Sequence, residues 1–350
     1  MAKVGIRDVS RAAGVSVTTV SHALSETHQS RVNPETREHV QQVAARLGYA
    51  PNRIAVALRN QRSQLLGFVS DEIASTPFAG ELVLGAQDAA YERGWLLMLV
   101  DSGRNPELEE KQVNTLLQHQ VDGIVIAKMY HQEASVPAAV AGIPAVLLDA
   151  FDPEGTLSSV VPDEVGAAST AVQELIDAGH RRIGFINNSD DIPAAFGRLE
   201  GYRAALAAAG IGFDPDLVTR QAPEVPGGRA GAEKLLGLAE PPTALFCFHD
   251  RQAFGAYEVA ARLGLRIPDD LSVVSIDNFE IIADGLWPGL TSVALPHYEM
   301  GRWAVTRLLD EIEHPEEAGE PVHLDFECPI VRRGSVAPPH SSSPGPEASS

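Results

Sequence analysis

Apolar residues recur at helical spacing three times in the first fifty positions. Ile6, Val9 and Ala13 mark a helix over about 6–13, which Gly14 ends by supplying a left-handed turn. Val20, Ala23 and Leu24 share one face of a second helix over about 17–24, entered through Ser16 as N-cap. A third begins "NPETREHVQQVAARLGY": Asn33 caps, Pro34 suits the first helical position, and Gly48 stops the helix. Val40, Val43, Ala44 and Leu47 form its stripe. Short helices crossing at a glycine turn predict a helix-turn-helix. Its second helix turns Thr18 and His22 outward, opposite Val20 and Leu24. Val17 sits at the margin, and spacing alone leaves it in the core or on the outer face. The polar stretch "APNRIAVALRNQRSQ" then reads as a connector.

From Leu65 the pattern changes. Short β-rich runs ("LLGFVS", "WLLMLVDS", "VDGIVIA", "PAVLLDA", "RIGFIN", "TALFCF", "LSVVSID") alternate with helical segments. Strands that are apolar on both faces and alternate with helices predict parallel sheets in α/β layers. The series comes twice, over about 65–160 and 163–290, and two such halves place a ligand cleft near the carboxyl ends of their strands. The last stretch, "GSVAPPHSSSPGPEASS", is rich in Pro, Ser and Gly and reads as a disordered tail over 334–350.

Charge sharpens this division. The 350 residues carry a net charge of −20, yet residues 1–62 hold nine basic and four acidic side chains, a net of +5. The remainder nets −25. A basic head on an acidic body points to one domain that meets an anion and another that does not. No apolar run is long enough to span a bilayer or to serve as a signal peptide, so a cytoplasmic protein without membrane partners is expected. Cys247 and Cys328 lack metal-ligand spacing and read as buried free thiols.

"IRDVSRAAGVSVTTVSHALS" resembles the N-terminal signature of the LacI/GalR family of bacterial transcription regulators. The likeness continues through "VNPETREHVQQVAARLGYAPNRIAVALR", "VDGIVIA", "GIPAVLLDA", "AGHRRIGFIN", "RLEGYRAAL", "HDRQAFGAYEVAARLGLRIPDDLSVVSIDN" and "PGLTSVALP", in the family's order, over residues 3–333. It implies an all-α helix-turn-helix DNA-binding head (1–50) and a hinge helix (51–62). These join an α/β two-subdomain core like a periplasmic binding protein, with parallel sheets (63–333). The N-subdomain is expected at about 63–161 plus 291–320, and the C-subdomain at about 162–290 plus 321–333.

The resemblance assigns base reading to Val17, Thr18 and His22, with histidine where the family commonly has arginine. That departure removes the bidentate arginine–guanine contact. Ser16, Thr19, Ser21 and Asn52 are candidate phosphate or backbone binders, Ser16 being also a plain cap. Leu58 corresponds to the leucine that wedges into the minor groove, with Ala55 one turn before it. Arg53, with Arg59, could meet phosphates or be a solvated linker charge. Gly5 replaces the usual Ser or Thr cap of the first helix, and glycine is tolerated there.

In the cleft the resemblance implies a small effector, a sugar, held by Arg198, Asp250 and Phe78. Asp277, Asp149 and Asp163 are further candidates at strand ends, and Asp149 and Asp163 could equally be structural. Arg198 and Asp250 could instead pair with each other. Departures cluster here: Ala79 stands in a usual aromatic place, Ala150 follows Asp149, and Pro223 replaces a loop aromatic. Phe151 is a possible compensation.

The expected function is therefore sequence-specific DNA binding under allosteric control, a repressor by family habit, acting as a homodimer on a pseudo-palindromic double-stranded operator. No cofactor, metal or catalytic residue is expected. A transport-type sugar-binding protein fits the core but not the basic head. An enzyme fits neither, because no dinucleotide fingerprint, P-loop, metal-spaced histidine cluster or nucleophile elbow occurs. His180 in "GHRRI" reads as structural.

Overall fold

Gly14 takes a φ of 67°, the left-handed turn that lets one short helix fold back on the next. In this computed structural model, which describes residues 4–24, 32–49, 62–72, 79–317 and 319–339, α1 (Ile6–Ala13), α2 (Val17–Ala23) and α3 (Pro34–Leu47) follow the sequence periodicity. The Gly5 N–H donates to Asp8 Oδ2 at 3.0 Å, so the first turn of α1 is closed by an aspartate where no capping side chain exists. Ser16 Oγ accepts from the Thr19 N–H at 3.0 Å, and Asn33 Oδ1 from the Thr36 N–H at 2.7 Å. Val9, Val20, Ala23, Val40 and Val43 close one apolar cluster, with Ile6, Val15, Leu24 and Leu47 packed against it. The chain divides into two compact units, Met1–Gln64 and Leu65–Ser350.

The second unit holds two six-stranded sheets. The first contains β1 (Leu65–Ser70), β2 (Leu96–Asp101), β3 (Gly123–Glu133), β4 (Ala145–Phe151), β5 (Ser158–Pro162) and β11 (His323–Phe326), in the order β11-β5-β4-β3-β1-β2. The second contains β6 (Ile183–Asn188), β7 (Val218–Gln221), β8 (Ala244–Cys247), β9 (Ser272–Asp277), β10 (Thr291–Ala294) and β12 (Ile330–Val331), in the order β12-β10-β9-β8-β6-β7. Every pairing is parallel except β10 with β12.

The chain passes between the sheets three times: after β5, after β10 and after β11. Two expected boundaries are therefore corrected. Residues 291–294, placed with the first half by sequence, pair with β9 in the second sheet. Residues 323–326, placed with the second half, pair with β5 in the first. Four-residue strands carry no signal of which sheet they join.

The helices are α4 (Ala79–Glu92), α5 (Pro106–Gln118), α6 (Glu164–Asp177), α7 (Pro193–Ala208), α8 (Val225–Leu236), α9 (Asp250–Leu263), α10 (Glu280–Ala283) and α11 (His297–Glu313). Close crossings rest on glycine. A Cβ on Gly201 of α7 would lie 2.2 Å from the Val165 carbonyl oxygen of α6, and one on Gly197 2.9 Å from the Glu164 Cβ. That approach brings Arg198 against Glu164.

The tail is also corrected. Ser335 is fully buried. It donates to the Val273 carbonyl at 2.6 Å and accepts from the Thr291 N–H at 2.8 Å. The Ala337 carbonyl meets Ser272 Oγ at 3.1 Å and His180 Nε2 at 2.9 Å. Residues 334–337 thus lace β9 to β10, and His180, which also meets Thr243 Oγ1 at 2.8 Å, has the structural place its motif suggested. Cys247 and Cys328 are buried free thiols.

Candidate functional site

The first unit presents one outward helix face. Val17 is 40% exposed and stands outside the apolar cluster, so the core alternative for it is excluded. Thr18 is exposed one turn from His22, which is half-buried. The Ser16 and Thr19 hydroxyls lie 2.8 Å apart at the start of α2, and Ser21 is half-buried. Asn52, Arg53, Ala55, Leu58 and the hinge lie outside the described residues.

The second unit contains a cavity at the carboxyl ends of both sheets. Six of its polar lining residues are Asp149, Glu164, Arg198, His249, Asp277 and His297, and its volume is about 20 Å³, space for about one water. Tyr130 joins it to an outer chamber of about 490 Å³, the size of an ordinary small-molecule site. Three expected residues, Arg198, Asp149 and Asp277, meet here. Asp163 and Asp250 do not line the cavity, and Phe78 lies outside the described residues.

Arg198 is buried and committed. Its Nε donates to Glu164 Oε2 at 2.6 Å, its Nη1 donates to the Phe248 carbonyl, and its guanidinium lies 4.1 Å from the centre of the Phe248 ring. The Arg198–Asp250 pair considered from sequence does not form; Glu164 takes that place. Asp250, the first residue of α9, is instead bound into the wall. It accepts from the Ser292 hydroxyl at 2.7 Å, the Phe279 N–H at 2.6 Å and the Ser275 hydroxyl. Asp163 caps α6, accepting from the Gly166 N–H at 2.8 Å.

Three further groups at the cavity are unsatisfied. Asp149 Oδ1, His249 Nε2 and His131 Nδ1 are buried with no partner among the described residues. The Arg251 N–H donates to His249 Nδ1 at 3.0 Å. Burial holds this imidazole well below its ordinary pKa, so it is neutral, with its proton on Nε2. The cavity thus offers an unpaired donor at His249 and an unpaired acceptor at Asp149. Burial, then the Glu164 charge, holds Asp149 well above the carboxylate range. Burial, then Asp250, raises Asp277. His297 is pushed down to about 4 by burial and next by Arg198.

Backbone strain collects at the same place. Asp149, Asp277 and Asn278 have φ values of 54°, 120° and 53°, a left-handed conformation that costs of order 1–3 kcal/mol in a non-glycine residue. The Asn278 N–H donates to Ser292 Oγ at 3.0 Å, part of what holds that turn. On the other sheet a register shift in β3 between Ala127 and Gln132 brings Tyr130 and His131 to the cavity. Phe151 meets the His131 ring edge-on at 5.7 Å. Ala150 is buried in the core.

Glu164, His249, His297 and His131 were not anticipated as site residues. Only His249 left a signal in sequence, by directly preceding Asp250 at a helix start.

A three-helix head with an exposed second helix, joined in one chain to a two-sheet core with a cleft, defines a ligand-binding regulator class. A family model for bacterial regulatory proteins of the lacI family matches residues 5–52. A second, for periplasmic binding proteins and the sugar-binding domain of the LacI family, matches residues 63–330. The chain belongs to the LacI family of bacterial transcription regulators.

It is 33% identical to the HTH-type transcriptional repressor CytR of Escherichia coli (strain K12) over 332 residues, 95% of this chain and 96% of that protein. It is 34% identical to the HTH-type transcriptional regulator CelR of Thermobifida fusca, covering 93% and 96%. Among solved structures, a CelR–cellobiose complex aligns with a TM-score of 0.69 at 33% identity, covering 95% of this chain and 100% of that one. A lac repressor dimer bound to operator and the anti-inducer ONPF aligns with a TM-score of 0.78 at 26% identity, covering 96% and 100%.

Proposed function

We propose that this protein is a transcriptional repressor that binds a pseudo-palindromic operator as a homodimer, and that a neutral-hydroxyl ligand of the sugar class in the core cleft sets its affinity for DNA. It acts in the cytoplasm and catalyses no reaction. The observation that carries the ligand half is the unpaired couple in the cavity, the His249 Nε2 donor and the Asp149 Oδ1 acceptor. A hydroxyl group both accepts and donates, so a polyol satisfies both. The DNA half rests on Val17, Thr18 and His22 on the outer side of α2, where side chains reach base edges when a helix enters the major groove. Structures of relatives with cellobiose, and with operator DNA as a dimer, support the same reading. Control follows if the ligand prefers one arrangement of the two sheets over another, since a ligand shifts an equilibrium only by its differential affinity.

The test is selection of DNA sites from a random pool by the purified full chain at stated salt, with mass photometry of the protein on the enriched site. Enrichment of a palindrome bound by two chains is expected. A pool that stays random at moderate salt overturns the DNA reading, and a tetramer overturns the dimer.

A further inference from the structure

Resting on the sugar reading of the cleft, we propose that Glu164 makes the site selective for uncharged polyols against their phosphorylated and carboxylated derivatives. Among the described residues Arg198 is the one arginine or lysine lining the inner cavity, and Glu164 neutralises it at 2.6 Å before any ligand arrives. Both side chains are about 95% buried, so water screens neither. Its Nη1 also donates to the Phe248 carbonyl, and the Phe248 ring covers one face of the guanidinium. Asp149 and Asp277 face the same space and add no positive charge.

The outer chamber repeats this arrangement. Its two cations are Arg104, paired with Glu72 at 2.7 Å, and Lys128, paired with Glu109 at 2.9 Å. Asp71, Glu110, Glu133 and Asp190 line it besides. The three imidazoles at the inner cavity, His131, His249 and His297, are all held below their ordinary pKa by burial and contribute no positive charge at neutral pH. An anionic ligand therefore meets a neutralised arginine at the inner cavity and, in the outer chamber, two paired cations beside four further carboxylates; Arg251, which donates to the Tyr130 hydroxyl at 3.4 Å, is the cation nearby without a carboxylate partner among the described residues. An uncharged polyol meets the acceptors and the His249 donor it needs.

The geometry also explains why Glu164, and not Asp163 beside it, has this role. Asp163 turns back to cap α6. Glu164 starts the helix where Gly197 and Gly201 let α7 approach, which brings its carboxylate onto Arg198. Selectivity here comes from a built-in repulsion as much as from attraction.

The experiment is isothermal titration of the full chain at pH 7 with D-glucose, D-ribose and cellobiose, each beside its phosphate and its sugar-acid derivative. In the wild type every neutral sugar that binds is expected to bind at least roughly 100-fold tighter than its anionic derivatives, as like-charge juxtaposition requires. Glu164→Gln keeps an oxygen for Arg198 Nε but frees the guanidinium charge, and is expected to narrow that gap by about tenfold. An anionic derivative that binds the wild type as well as its neutral parent overturns the inference without touching the sugar reading. An unchanged gap in a Glu164→Gln protein that still melts cooperatively removes the role from Glu164. A panel in which no sugar of any charge binds overturns the sugar reading, and the inference falls with it. The wild-type comparison decides the selectivity even where the variant does not fold.

Discussion

Asp149 and Asp250 are the same residue type, both almost wholly buried, at the carboxyl ends of neighbouring sheets. Asp250 has three donors: two serine hydroxyls and the Phe279 N–H. Asp149 has an oxygen with none among the described residues. One is part of the wall and the other waits on the cavity. Burial alone does not distinguish a ligand-binding carboxylate from a structural one; the count of satisfied hydrogen bonds does, because an unmade bond in the interior costs more than a made one contributes. Arg198 shares both conditions, lining the cavity while held by Glu164 and Phe248.

Arg198→Ala gives the largest expected effect and tests that dual position. It strands Glu164 as an uncompensated buried charge, a loss of about 3–5 kcal/mol in urea denaturation. Replacing Glu164 with Gln in the same chain is expected to recover a good part of it. A single variant as stable as the wild type would mean that the pair contributes nothing to the wall.

Asp250→Ala comes next. Three donors lose a charged acceptor, and stability is expected to fall by about 3 kcal/mol. Asp149→Ala is expected to leave stability within about 1 kcal/mol of the wild type, because no satisfied bond is lost at its Oδ1, while sugar affinity drops by about tenfold. Reversal of these two outcomes would dissolve the distinction between wall and cavity.

The same distinction explains what could be read from sequence. The head is made of local contacts, so periodicity located its helices, caps and turns, and Thr18 on the outer face follows from helix geometry alone. Val17 needed the structure, since a marginal position on a helical wheel depends on how the neighbouring helix crosses. Alternating strands and helices announced two parallel sheets. They could not say that β10 and β11 trade halves, because strand membership is decided by partners far along the chain. Arg198 was marked by its motif, and Asp149 and Asp277 by their places at strand ends. Glu164 was not, for its role depends on a helix crossing at Gly197 and Gly201 that brings Arg198, 34 residues away in sequence, against it. Ser335 looked like tail because a single buried serine in a Pro/Ser-rich run has no period to betray it.

The smallest effect concerns pH and separates His297 from the carboxylates around it. In the unfolded chain histidine titrates near 6.5, whereas folding holds His297 at about 4. The folded state therefore binds fewer protons, and this stability is present above about 6.5 and lost as pH falls toward 4. Asp149 and Asp277, held above their ordinary range, act with the opposite sign: the folded state keeps protons that the unfolded chain releases, and acidification favours it. His131 and His249 act in the same direction as His297. The measurement must therefore be a difference. Between pH 7 and pH 5 the wild type is expected to lose roughly 1–2 kcal/mol more than His297→Gln. Arg198 faces His297 and adds to the depression, so the same comparison in an Arg198→Ala background should shrink. Equal pH slopes for wild type and His297→Gln would show that His297 takes up its proton in the folded core as readily as in the unfolded chain. The cavity would then be wetter, and its polar groups less dependent on a ligand, than the unpaired His249 and Asp149 require.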